Sequence, residues 1–371
     1  MLTSLASSFL HRHHRLLLVL MDANKTLPLL LLFLLLLPLI DSSSTSQQID
    51  YQLIPFFIKY KDGHVKRLIG NDIIVAGLDP QTGVSTKDVT INTKTEVGAR
   101  IYLPKTTNQP DQKLPLLVYV HGGAFIVETA FSPTYHFYLN SVVAQANVVA
   151  VSVNYRRAPE NPLPIAYDDS WEVLKWAVSH STDHPAGGPE EPWLKDHVDF
   201  ERVFLAGDSA GANIVHNLAM RAGEEVNELP GGVEILGAAL ICPYFWGEKR
   251  IGNEAQTPEN LRMLADKTWQ IACPTSKGLD DPRINPEAEG APSLSKLGCS
   301  RVLVEVAGKD VLKDRGVLYY DTLVKSGWKG KAELMESDGE NHVFYLMNPT
   351  TEHAVALMKR FTSFLNVDTE D

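Results

Sequence analysis

Short apolar runs recur along the chain, separated by stretches in which apolar residues return every three or four positions. The runs at 99–103, 116–120, 148–155, 202–206, 235–242, 302–306 and 332–335 read as strands. Most are continuously apolar rather than alternating, which is the pattern of strands buried on both faces of a largely parallel sheet. The intervening segments 134–145, 168–180, 212–221, 317–325 and 353–365 carry helical spacing. Trp171, Leu174 and Val178 fall on one side of the second, and Ile214, Val215, Leu218 and Ala219 on one face of the third. Alternating strands and helices predict an α/β fold, with a mostly parallel central sheet and helices on both faces. From Tyr244 to about Gly298 the periodicity breaks down and Pro, Gly and charge accumulate. This region is expected to be a cap or lid insertion, joined by residues 51–80. No internal repeat or low-complexity segment interrupts the fold.

The first 47 residues differ in kind and are expected to form a targeting leader and linker, with the folded domain over 48–371. Residues 1–21 hold Arg12, Arg15, three histidines and several serines, with no acidic residue before Asp22. That composition resembles a mitochondrial presequence. The apolar run at 27–40 is short and broken by Pro28 and Pro38, so no stable membrane span is expected. Begun at Met21, the same run forms the core of an alternative secretory signal. Against secretion stand the absence of a usable Asn-x-Ser/Thr sequon after Ser46 and three scattered cysteines, Cys242, Cys273 and Cys299. Cysteines so spaced suit free thiols in a reducing compartment better than a disulfide framework. Mitochondrial import is therefore the expectation, and a cytoplasmic protein follows if the leader is unused. A serine-rich linker at 41–48 separates leader from fold.

Composition narrows the function classes. The net charge of −11 argues against nucleic-acid partners and anionic membrane surfaces. There is no glycine-rich phosphate loop ending in Lys-Ser/Thr, and no basic patch interleaved with aromatics. The cluster His11-Arg12-His13-His14-Arg15 lies among cations in the leader, so no metal site is expected there.

Candidate chemistry centres on Gly207-Asp208-Ser209-Ala210-Gly211, between an apolar strand and a helix. A serine on so sharp a turn needs small neighbours, because helix and strand must pack closely. Upstream, His121-Gly122-Gly123-Ala124 follows the strand at 116–120, and backbone N–H groups there can face an anionic oxygen. Asp310 and His342 each follow a strand-like run, in the order Ser…Asp…His. A serine hydroxyl is a poor nucleophile until an imidazole takes its proton, and a carboxylate fixes the imidazole's tautomer. Asp314 rivals Asp310 but sits where a helix should start, where an acidic residue suits the helix dipole. His353 opens the last helix. His216 reads as packed or solvated, His121 as a loop-shaping residue, and Arg156 with Glu160 as a structural ion pair or turn lock.

These motifs carry a resemblance to a known family. His121-Gly122-Gly123, the segment from Asn154 to Glu160, Gly207 to Gly211, Ala307 to Leu312 and Gly339 to Phe344 resemble the plant carboxylesterase family, in the hormone-sensitive-lipase-like branch of the α/β-hydrolases. The resemblance spans roughly 48–371. It implies Ser209 as nucleophile, His342 as general base, Asp310 as its orienting partner, and the N–H groups of Gly122, Gly123 and Ala210 as an oxyanion hole. It also implies hydrolysis of small to medium carboxylic esters without metal or organic cofactor. Ala124 departs from the family's usual third glycine, which places the loop's detailed shape in question. Two alternatives stay open on the same fold: a lyase acting on specialised metabolites, and a hormone-binding protein like the gibberellin receptors, which lack the triad histidine. Oligomeric state and physiological substrate are not readable from the residues.

Overall fold

The computed structural model describes residues 48–105, 112–182, 187–224 and 228–367. The leader expected over 1–47, with its targeting signal, lies outside the described residues. Eight strands form the main sheet: β4 (Ser85–Asn92), β5 (Val97–Leu103), β6 (Leu114–Val120), β7 (Val149–Asn154), β8 (Val198–Asp208), β9 (Ile235–Ile241), β10 (Cys299–Ala307) and β11 (Lys331–Ser337). Their order is β11-β10-β9-β8-β6-β7-β5-β4. Only β5 runs against the rest, pairing antiparallel with both β4 and β7. A separate antiparallel meander, β1 (Ile49–Leu53), β2 (Phe57–Tyr60) and β3 (Val65–Arg67), precedes it.

The continuous apolar runs have the expected cause. Every residue of β6 is buried. Leu116, Val118 and Val120 enter one core with helices α2 (Ile165–Ser179) and α4 (Ala210–Glu224), while Leu117 and Tyr119 enter a second with α1 (Pro133–Ala146) and α8 (Glu352–Leu365). Successive side chains alternate faces, so a strand apolar at every position feeds both cores. Among the described residues the remaining α-helices are α3 (Pro192–His197), α5 (Glu259–Ala272), α6 (Lys313–Lys325) and α7 (Phe344–Met347). Among the described residues no helix is long and apolar enough to cross a membrane.

Two features position the site. The order reverses at β6, which has β7 on one side and β8 on the other. The loops leaving β6 and β8 therefore meet at a topological switch point, the usual crevice of an open α/β sheet. The second feature is the segment after β9. It was expected to be irregular, yet it holds the fourteen-residue α5, with Ala265, Thr268, Trp269 and Ala272 buried. The three-and-four spacing was present in the sequence, diluted by the charged residues between. This segment is tied down at both ends: Tyr244 Oη donates to the Ala265 carbonyl at 2.7 Å, and Asn213 Nδ2 on α4 donates to the Arg283 carbonyl at 2.7 Å. A buried Arg315–Glu254 pair, 2.6 Å apart, joins it to α6. All three cysteines are buried and free.

Candidate active site

Ser209 stands at the end of β8 with φ of 52°, in the left-handed region that non-glycine residues rarely adopt. The turn is held from three directions. Ser209 N–H donates to the Ile241 carbonyl at 2.9 Å, and its own carbonyl accepts from Asn213 and Tyr244 N–H. The flanking glycines are required by contact: a Cβ on Gly211 would lie 2.1 Å from the Val120 carbonyl oxygen, and one on Gly207 2.6 Å from the same atom.

Asp310 follows β10 and His342 follows β11, on two loops cross-linked by Lys309 N–H to the Glu340 carbonyl (2.7 Å) and Gly308 N–H to the Ser337 carbonyl (2.8 Å). This brings the three sequence-predicted side chains into line. His342 Nε2 lies 2.9 Å from Ser209 Oγ, and its Nδ1 lies 2.5 Å from Asp310 Oδ2. The other oxygen of Asp310 accepts from Leu312 N–H at 3.0 Å. Asp310's side chain is 1% exposed, while the imidazole is 36% exposed. Burial disfavours the imidazolium, but the carboxylate of Asp310, helped by those of Asp208 and Glu305, outweighs it and holds His342 above its ordinary pKa.

The loop after β6 requires one correction. Gly122 does not offer its N–H to an oxyanion, because that N–H donates to Tyr135 Oη at 2.8 Å and to Asp208 Oδ1 at 3.1 Å. Among the described residues the N–H groups of Gly123, Ala124 and Ala210 meet no acceptor. Ala210 opens α4, where the first N–H groups have no intrahelical partner. Ala124 does occupy the left-handed region, with φ of 59°, as do Gly123 at 100° and Phe125 at 62°.

The competing residues lie elsewhere. Asp314, in the first turn of α6, accepts from Asn253 N–H. His353 pairs with Glu340 at 3.2 Å. His216 is buried against Tyr319, its Nδ1 3.1 Å from the phenol oxygen. His121 stacks on Tyr155 at 4.3 Å, and burial drives its pKa down to about 3, so it stays neutral. The expected Arg156–Glu160 pair does not form: Arg156 binds Asp169 at 2.7 Å and Glu160 binds Arg67 at 2.7 Å. The partners come from α2 and β3, which sequence proximity could not suggest.

Three neighbours escaped the sequence reading. Asp208, Glu305 and Cys242 are buried beside the serine, carboxylate and histidine. Burial raises Asp208 to about 6 and Glu305 to about 7. A charge inside the apolar run 302–306 was the available signal for Glu305. The Cys242 thiol, Asp310 and His342 place ligand atoms within 4.8 Å of one another, a set that could hold a metal ion. In this structure the thiol is engaged with Glu305 at 3.2 Å, and the other two groups with each other.

Comparison with known proteins places the chain by family and fold. Residues 117–346 match a family model described as the alpha/beta hydrolase fold. The chain is 47% identical over 323 residues to "Probable carboxylesterase 2" of Arabidopsis thaliana, covering 87% of this chain and 98% of that protein. It is also 47% identical over 322 residues to "2-hydroxyisoflavanone dehydratase" of Glycine max, covering 86% and 99%. Among solved structures, an esterase of the archaeon Pyrobaculum calidifontis superposes with a TM-score of 0.61 at 26% identity, covering 76% of this chain and 84% of that one.

Proposed function

Because the chain belongs to the plant carboxylesterase family of the α/β-hydrolases, we propose that it is a serine carboxylesterase that cleaves small to medium esters through an acyl-enzyme. The observation that carries this reading is the unbroken line Asp310–His342–Ser209, with contacts of 2.5 and 2.9 Å, set beside free backbone N–H groups at the switch point. In the first half-reaction His342 Nε2 takes the proton of Ser209 Oγ as it attacks the ester carbonyl. Asp310 holds the Nδ1–H tautomer and offsets the charge of the imidazolium. The developing oxyanion is bound by the N–H groups of Gly123, Ala124 and Ala210, with Ala124 in the place first given to Gly122. His342 then returns its proton to the departing alcohol. Water, activated by the same imidazole, releases the acid and restores the serine. These steps use side chains and backbone of this chain, a small-molecule ester and water.

The test is hydrolysis of p-nitrophenyl acetate and butyrate by the leaderless protein beside Ser209→Ala. Turnover by the wild type and a fall of roughly 10³-fold or more in the variant is the expected result. Equal inertness of both proteins overturns it. The dehydratase relative, as similar as the carboxylesterase, supports a second reading, elimination of water from a hydroxylated metabolite at the same serine and histidine. Assaying 2-hydroxyisoflavanone in parallel separates the two, since a lyase yields the dehydrated product without ester turnover. For the leader we propose mitochondrial import; residues 1–47 fused to a fluorescent protein are expected to direct it to mitochondria, and a secreted or cytosolic signal refutes this.

A further inference from the structure

Asp208, next to the nucleophile, is a carboxylate that the reaction above does not use. It is 1% exposed, yet its two oxygens are fully engaged with donors. Oδ1 accepts from Tyr119 Oη at 2.8 Å and from Gly122 N–H at 3.1 Å, and Oδ2 accepts from Tyr135 Oη at 2.8 Å. Tyr135 Oη in turn accepts from Gly122 N–H at 2.8 Å, so that one amide proton is shared between phenol and carboxylate. Only a residue without a side chain allows this approach, because a Cβ on Gly122 would fall 2.3 Å from Asp208 Oδ2.

The far side of Gly122 is fixed as well. Its carbonyl oxygen accepts from Tyr155 Oη at 3.3 Å and lies 2.7 Å from His121 Nδ1. A peptide group is planar and trans, so the N–H of Gly123 points opposite to the carbonyl of Gly122. Holding Gly122 by its N–H and its C=O thus leaves the Gly123 N–H little freedom of direction. The strained Gly123-Ala124 step continues from that fixed point.

We propose that Asp208 is a positioning residue for ester hydrolysis: with Tyr135 it clamps the Gly122 amide so that the N–H groups of Gly123 and Ala124 converge with that of Ala210 on the oxyanion. The inference rests on the esterase reading of the site. An ionised carboxylate suits the task because it presents acceptors to three donors and has no proton of its own to misplace. Asparagine matches its shape but turns an NH₂ toward one of those donors, so part of the clamp must open. Oxyanion donors contribute only if they are aimed before the charge forms, and removal of one such donor costs about 10²- to 10³-fold in kcat.

The experiment compares wild type, Asp208→Asn and Tyr135→Phe on p-nitrophenyl butyrate. It adds inhibition by a trifluoromethyl ketone, which occupies the hole as an oxyanion, and by the isosteric secondary alcohol, which does not. Asp208→Asn is expected to lose about 10²-fold in kcat and Tyr135→Phe about tenfold, with KM within threefold of wild type. The ketone's Ki rises in step with the loss of kcat/KM, while the alcohol's Ki stays constant. A role in packing alone would leave the ratio of the two inhibition constants unchanged, and that result overturns the proposal. So does retention of kcat within threefold by either folded variant. If Asp208→Asn fails to give a cooperative melt, Tyr135→Phe, which keeps the carboxylate, decides. Should the wild type show no ester turnover, the esterase reading fails. The rates at which a fluorophosphonate labels Ser209 in wild type and Tyr135→Phe then decide the clamp, because the phosphonyl oxygen enters the same hole; equal rates refute it.

Discussion

Replacing Glu305 with glutamine should stabilise the protein in a pH-dependent way and move its activity profile. Glu305 is fully buried on β10, accepting from Ser337 Oγ at 2.8 Å and from the Cys242 thiol at 3.2 Å. Burial, with repulsion from Asp310, raises its pKa from 4.5 to about 7. The folded protein therefore holds a proton there that the unfolded chain releases. Stability from this group is greatest below pH 4.5, declines as pH rises toward 7, and stays low above it. The full gap corresponds to about 3 kcal/mol, and relaxation around the charge reduces the measurable part to about 1–3 kcal/mol, most of it between pH 5 and 8. Glutamine is neutral throughout, so urea midpoints of the variant and wild type should be close at pH 5 and diverge in the variant's favour at pH 8. The charge on Glu305 also supports the imidazolium of His342, which is held above its ordinary pKa. Because the base must be neutral, kcat/KM should fall in acid through that raised pKa, and the variant's acid limb should lie at lower pH. A stability difference that is constant from pH 5 to 8, with an unmoved acid limb, would refute the charge-based argument.

Two further substitutions test the backbone. Gly211→Ala sets a methyl 2.1 Å from a carbonyl oxygen of β6, where no rotamer change can help, so we expect destabilisation by about 1–3 kcal/mol or more and at least a tenfold loss of kcat. Gly77→Ala, whose Cβ would meet nothing within 4 Å, is the control in the same denaturation and rate assays. Ala124→Gly removes the left-handed penalty of about 1 kcal/mol but frees the unfolded chain by a similar amount. Its Tm should stay within a few degrees of wild type and its kcat within threefold, and a large loss would show that the methyl group itself contacts substrate.

The legible parts of this chain are those governed by local pattern. Seven strands and five helices of the main fold announce themselves through short, mostly apolar runs or through three-and-four spacing, and the parallel sheet follows from runs such as Leu116 to Val120 that feed two cores at once. The side chains at Ser209, Asp310 and His342 were legible for a different reason: each lies just after a strand end, where a parallel sheet gathers its loops. Strand β4, whose alternation of buried and exposed residues marks an edge, was missed, and so was α5, hidden in a charged segment. Contacts between distant segments were not legible at all. Nothing near Arg156 in the chain announces Asp169 as its partner, and nothing around Gly122 shows that Tyr135 and Asp208 will claim its N–H.

That last failure has a physical basis, because the loops around the site are not in their locally preferred conformations. Ala124, Phe125, Ser209, Cys242 and Val343 all have φ between 45° and 62°, in a region that costs a non-glycine residue on the order of 1–2 kcal/mol. Local propensity would place none of them there. The last four are held by hydrogen bonds that arrive from another strand end, a neighbouring loop or a flanking residue. Phe125's carbonyl accepts from Ala158 N–H, Ser209 N–H donates to Ile241, Cys242 N–H donates to Glu305, and the Val343 carbonyl accepts from Leu346 N–H. The rigid sheet fixes where these partners stand, so the strain of the loops is carried by a frame that local conformational preference cannot relax. The line from Asp310 to Ser209 is therefore a property of the sheet as much as of the three residues. A substitution that loosens the loops without touching those residues should cost activity before it costs stability.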